Sequence, residues 1–131
     1  MKQEDIRDVV VDTSFINSLM DKNDLNHDKV KDFFSKNQYK YHSPEFLLIE
    51  LSSFFERKYG YNMSDDIVYA VKKFINLHPN YSKIDTVILA IKKYKTRGTD
   101  SLFVRLADKL NYQLITCDKD QAKKYDKSIC I

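Results

Sequence analysis

Apolar residues along this chain fall into short blocks that switch between two rhythms. Residues 7–11 (RDVVV) form a compact β-branched run that stops at Asp12-Thr13-Ser14, after which Phe15, Ile16 and Leu19 recur at helical spacing. This pattern predicts a buried strand turning into a helix. A polar break, KNDLNH (22–27), precedes an amphipathic helix over 28–36 with Val30, Phe33 and Phe34 inward. YKYH (39–42) reads as a second strand. Ser43-Pro44-Glu45 reads as a helix start, with Ser43 capping, Pro44 in the first turn and Glu45 at the positive end. That helix should run over 44–59 and stop at Gly60. Ser64-Asp65-Asp66 opens another helix, with Ile67, Val71, Phe74 and Ile75 on one stripe, ending before Pro79. NYSKI (80–84) reads as a third strand, with Asp85 capping a helix over 86–95. Gly98-Thr99 breaks the chain before a helix over 100–110 that buries Phe103, Leu106, Ala107 and Leu110. YQLIT (112–116) is a strand, Asp118 opens a short helix to 125, and SICI (128–131) is a last strand.

Strands alternating with helices predict an α/β domain on a mainly parallel sheet, whose sites form outside the carboxyl ends of the strands. The 131 residues suit one domain over 1–131, with no repeat or linker. No apolar run reaches the length of a membrane span, and MKQEDIRDVV lacks the basic-then-apolar start of a signal peptide, so a cytoplasmic protein is expected. Charge changes the picture little: 22 Lys+Arg against 19 Asp+Glu leave +3. Glycine changes it more. With only Gly60 and Gly98, neither a phosphate loop nor a dinucleotide fingerprint can be built. Cys117 and Cys130 are too few for a disulfide scaffold and read as small buried hydrophobes on strands. His27, His42 and His78 stand apart in the sequence. A metal here would therefore be held by carboxylates, which points to Mg²⁺ or Mn²⁺.

Most acids read as solvated charge; four do not. Asp12 and Asp118 each follow a buried strand, so they converge if those strands are neighbours. Either could equally be a helix cap or turn residue. Asp120, one step further from its strand, is the understudy of Asp118. Glu50 falls mid-helix on the stripe of Leu47, Leu51 and Phe54, where an unpaired carboxylate is costly. It needs a cation, a hydrogen bond or a buried ion pair. Asp100 opens the 100–110 helix near its apolar face, where the dipole favours an anion. Four carboxylates at one sheet edge would repel one another, and one or two divalent cations would relieve that.

The segments VVVDTSFI (9–16), SPEFLLIELSSFF (43–55), RGTDSLFVRLA (97–107) and LITCDKD (114–120) together resemble a PIN-domain ribonuclease, most closely a VapC-type toxin of a toxin–antitoxin pair. The resemblance implies a three-layer α/β/α fold with a central mainly parallel sheet. It implies an Mg²⁺- or Mn²⁺-dependent endoribonuclease in which Asp12, Glu50, Asp100 and Asp118 serve as catalytic metal-facing acids. Thr13, Ser14 and Thr116 would support them, though local capping explains these hydroxyls equally well. It also implies an RNA substrate, an antitoxin partner and a homodimer. Arg97, Lys95 and Lys119 are the leading phosphate contacts, with Lys92, Lys93, Lys123 and Lys124 nearby; each could instead simply solvate a helix. Leu48, Phe55 and Tyr69 exceed what one core-facing stripe needs and suggest a partner surface. Two further readings stay open: an RNA-processing nuclease without an antitoxin, and a non-catalytic module binding RNA or protein. A phosphoaspartate receiver fits less well, since Asp12-Thr13 supplies one acid where a pair is needed.

Overall fold

The computed structural model describes residues 6–79 and 83–131. Its elements run β1 (Arg7–Val11), α1 (Thr13–Met20), α2 (His27–Lys36), β2 (Tyr39–Pro44), α3 (Phe46–Tyr59), α4 (Met63–Lys72), β3 (Ile75–His78), α5 (Ile84–Tyr94), α6 (Asp100–Leu110), β4 (Gln113–Thr116), α7 (Lys119–Lys124) and β5 (Ser128–Cys130). The five strands form one sheet in the order β3-β2-β1-β4-β5, every pair parallel. An all-parallel sheet is covered on both faces, which explains why its central strand ends in three consecutive valines. Val9, Val10 and Val11 are fully buried.

Adjacent side chains on β2 show the two faces. Tyr41 stacks on Phe15 of α1 and Phe34 of α2. His42 points the other way, against Tyr112 just beyond α6. Helix α6 packs on β1, β2 and β4, with α5 beside it. The expected α/β/α layering on a parallel sheet is therefore observed. No helix of the described residues is long and apolar enough to cross a membrane.

Chain order reverses at β1: β2 and β3 extend the sheet on one side, β4 and β5 on the other. The crevice at such a switch point, outside the strand ends, is where open α/β sheets place ligands. Val11 pairs with Ile115, so β1 and β4 are neighbours and deliver Asp12 and Asp118 to that crevice.

Four local expectations are corrected. Phe74 and Ile75 do not extend α4, which ends at Lys72; Ile75–His78 is the third strand. A short apolar run carries both rhythms, and here pairing with Tyr41–Pro44 decided it. The strand expected at 80–84 falls partly on 80–82, outside the described residues, and Ile84 already begins α5. Ser43 and Pro44 belong to β2 rather than to a helix start. The fully buried Ser43 hydroxyl donates across to the Val11 carbonyl at 3.1 Å. Pro44 has no N–H, and the next amide, Glu45, donates to the His78 carbonyl instead. Helix α3 thus begins after Glu45, without a side-chain cap, and ends at Gly60 with φ +67°, where a Cβ would be strained. The cysteines are also not buried as expected: Cys117 follows β4 and is half-buried, and Cys130 is exposed on the edge strand.

Candidate active site

The crevice is organised around Asp12, which is 4% exposed. Its backbone is extended, and its side chain caps α1. Oδ1 accepts from the Ser14 hydroxyl at 2.7 Å and the Phe15 amide at 3.1 Å. Oδ2 accepts from the Thr116 hydroxyl. Thr116 Oγ1 also accepts from the Asp118 amide at 3.0 Å, and Ser14 Oγ from the Cys117 amide at 3.0 Å. One hydroxyl pair thereby ties the end of β4 to the start of α1. Burial pushes the Asp12 carboxyl up to about 6; hydrogen bonds from Thr116, Ser14 and Phe15 pull it down, and the charge of Asp100 adds to the rise.

Glu50 lies half-buried in the middle of α3. Its Oε1 accepts from the Thr13 hydroxyl at 2.7 Å. Among the described residues it forms no ion pair, so a hydroxyl rather than a buried cation answers the need read from its apolar stripe. Burial raises its pKa, Thr13 lowers it and Asp100 raises it. Asp100 is the half-buried first residue of α6. Burial and then the charge of Asp118 raise its pKa, while Arg97 and Lys124 lower it. Asp100 is therefore the group that feels or perturbs each of the other three acids. Asp118 is exposed and caps α7, its Oδ1 accepting from the amides of Asp120 at 2.9 Å and Gln121 at 3.3 Å. Asp120 is exposed in the first turn of that helix.

Asp12, Glu50 and Asp118 each share repulsion with Asp100, and none of the four has a basic partner within ion-pair distance among the described residues. An all-oxygen donor set of this charge suits a hard divalent cation. Among the described residues no three acid, histidine or cysteine side chains are already drawn up closely enough to hold one. The charges of Arg97 and Lys124 reach Asp100. Lys95 is exposed at the left-handed end of α5, and Lys119 is exposed at the start of α7.

His42 and His78, apart in the sequence, meet in the fold. His42 Nε2 lies 2.8 Å from Asp8 Oδ1, and His42 Nδ1 lies 2.9 Å from His78 Nε2. Asp8, His42 and His78 come from three adjacent strands and are far apart in sequence. Only the β3-β2-β1 order brings them together, so spacing carried no signal. Lys124 is likewise brought in by the short α7, at an offset that sequence alone did not favour over Lys119.

A PIN-domain family model matches residues 9–127. No curated protein sequence matches the chain. Among solved structures, the fold is similar to VapC20 of Mycobacterium tuberculosis, described as a sarcin-ricin loop cleaving toxin (TM-score 0.72, 15% identity, 88% of this chain and 93% of that one). It is also similar to a toxin–antitoxin complex from Klebsiella pneumoniae (TM-score 0.74, 12% identity, 92% and 95%). A third likeness is to VapBC2 from Rickettsia felis, bound to a DNA fragment from its promoter (TM-score 0.69, 12% identity, 95% and 97%). With the family model spanning nearly its whole length, and with the fold to match, this chain belongs to the PIN-domain family.

Proposed function

We propose that the chain is a metal-dependent endoribonuclease, cleaving RNA phosphodiester bonds as the cytoplasmic toxin of a VapBC-type toxin–antitoxin pair. The observation that carries this reading is the coupling of Asp12, Glu50 and Asp118 to Asp100 at the switch point of a PIN-family sheet. A sarcin-ricin loop cleaving toxin and a toxin–antitoxin complex among its structural likenesses support the substrate class and the partner.

In this reading Asp12, Glu50, Asp100 and Asp118 hold Mg²⁺ or Mn²⁺. When bound, such an ion supplies Lewis acidity toward water and the scissile phosphate. The chain's own groups do the rest. Ser14, Thr116 and the Phe15 amide fix both Asp12 oxygens before anything binds, so no ordering cost falls on binding. Thr13 turns Glu50 by one oxygen and leaves the other available. Asp118 is pinned through Oδ1, and Asp120 shapes that loop through its amide. Arg97 and Lys124 bind backbone phosphates beside Asp100, with Lys95 and Lys119 contributing on the rim. Asp12 must shed its proton for the ion to bind, so protons and metal compete up to about pH 6.

The antitoxin and a second copy of the chain would take up exposed apolar surface. On α3 and α4, Ile49 and Tyr69 are 61% and 66% exposed, whereas Phe55, expected on that surface, is buried in the core. The test is cleavage of a structured RNA with Mg²⁺, with Mn²⁺ and with chelator, by wild type and by Asp12→Asn. Cleavage by wild type with either ion, and none by a folded Asp12→Asn protein, supports the proposal. Equal cleavage by both proteins, or none by either, overturns it.

A further inference from the structure

A second polar feature lies on the other side of α6. A cavity of about 400 Å³ opens between α5, α6 and the ends of β2 and β3. Lys83, Arg105, Lys109 and His78 line it, over an apolar floor that includes Leu102 and Leu106. No acid is among its described lining residues. Lys83, Arg105 and Lys109 form no ion pair among the described residues. One basic side chain at a surface is ordinary. Three basic side chains around one cavity, with no ion-pair partner among the described residues and no acid among its described lining, call for an anion.

Arg105 is also held in place. Its Nε donates to Thr86 Oγ1 at 2.9 Å, and Thr86 Oγ1 donates to the Lys83 carbonyl at 2.7 Å. The remaining guanidinium N–H groups have no acceptor among the described residues. A guanidinium fixed through Nε with free terminal donors is arranged for planar, two-point contact with a phosphate.

His78 adds a donor that the Asp8–His42 pair controls. With both rings neutral, His42 donates from Nε2 to Asp8, so its Nδ1 accepts from His78 Nε2–H and His78 Nδ1 is bare. One added proton reverses this. Placed on His78 Nδ1, it makes that nitrogen a donor directly. Burial, His42 and Lys109 hold the His78 pKa below its ordinary value, and an anion in the cavity would offset the last of these.

We propose that this cavity is a second ligand site, taking the phosphate of a small organic phosphate of mononucleotide type, with Arg105, Lys109 and Lys83 supplying charge, His78 a hydrogen bond and the leucine floor an apolar contact. The site is separate from the acidic crevice. At roughly 100° per residue, Arg105 and Lys109 project about 140° and 180° away from Asp100 around α6. The volume suits a small ligand.

The experiment is calorimetric titration of the full chain with AMP and with inorganic phosphate, in chelator so that the acidic site holds no ion. Wild type should bind AMP saturably, and phosphate more weakly. Arg105→Gln and Lys109→Gln should each weaken AMP binding about tenfold, as loss of a charge-assisted contact does. Lys109 is exposed, so its variant keeps the fold; melting curves confirm this for both. Asp12→Asn should bind AMP as wild type does. In NMR titrations AMP should raise the His78 pKa, which a purely structural role for Arg105 would not produce. Absence of saturable AMP binding, unchanged affinity in the Arg105→Gln and Lys109→Gln proteins, or loss of binding in Asp12→Asn would each overturn the proposal. So would a short single-stranded RNA that binds through Arg105 and Lys109 while AMP does not, since the phosphate then belongs to the polymer.

Discussion

The buried charge of Asp12 makes a thermodynamic prediction that needs no activity. Its carboxyl titrates at about 6 in the folded chain, against an ordinary value of 3.8. A folded-state pKa raised above the unfolded one means ionised Asp12 costs stability. The gap corresponds to about 3 kcal/mol at neutral pH. That cost is present in full above pH 6, shrinks as pH falls through 6, and is gone below about 3.8. Asp12→Asn removes the charge. The asparagine carbonyl still accepts from Ser14 and Phe15, but Thr116 must turn from donor to acceptor, a rearrangement costing about 1 kcal/mol. The net expectation is that the variant is about 2 kcal/mol more stable than wild type at pH 7.5 in chelator. For a domain of this size that raises Tm by roughly 8 °C. Differential scanning calorimetry of both proteins from pH 4.5 to 7.5 reads it. The two Tm values should converge toward pH 4.5. A variant that is less stable by the same amount at every pH would refute the reasoning, because Asp12 would then act through hydrogen bonds alone.

Other outcomes follow from particular contacts. Asp21 is buried at the end of α1, where Lys58 donates to it at 2.5 Å along with Tyr59. Lys58→Met should lower stability in urea denaturation at neutral pH, because it takes one donor from the buried Asp21 carboxylate. These contacts lower the Asp21 pKa, so the cost should fade as pH drops below 3.8. Ser43→Ala should cost about 1 kcal/mol through loss of the cross-strand bond to Val11, without shortening α3 as judged by amide exchange. Replacing Arg97 and Lys124 together by Gln should weaken RNA binding across sequences and flatten its salt dependence, by about one logarithmic slope unit per lost contact. Mn²⁺ affinity measured by calorimetry should fall as pH drops through about 6, where Asp12 takes up its proton.

What the one-dimensional pattern carried, and what it did not, has a physical reason. Val9–Val11 followed by Asp12, and Leu114–Thr116 followed by Asp118, are local signals: a buried strand must be apolar, and the first polar residue after it marks its end. Glu50 was visible because a helix converts sequence offsets into one stripe. Sheet order is not local. That β1 and β4 are neighbours, which brings Asp12 and Asp118 together, depends on long-range pairing. The same non-locality hid the Asp8–His42–His78 chain, which exists only because β3 lies beside β2. The misplaced third strand came from Phe74 and Ile75, whose short apolar run fits both periods. Ser43-Pro44 carried every mark of a helix start, yet strand pairing took Ser43 first.

The most direct test of the central claim concerns Asp100, the carboxylate coupled to all three others. Mn²⁺ titration calorimetry on wild type and on folded Asp100→Asn measures whether the four acids act as one cation site. The account predicts clear binding by wild type and affinity at least about a hundredfold weaker in the variant, the loss on removing a charged ligand from a shared site. Equal Mn²⁺ affinity in the two proteins would contradict it.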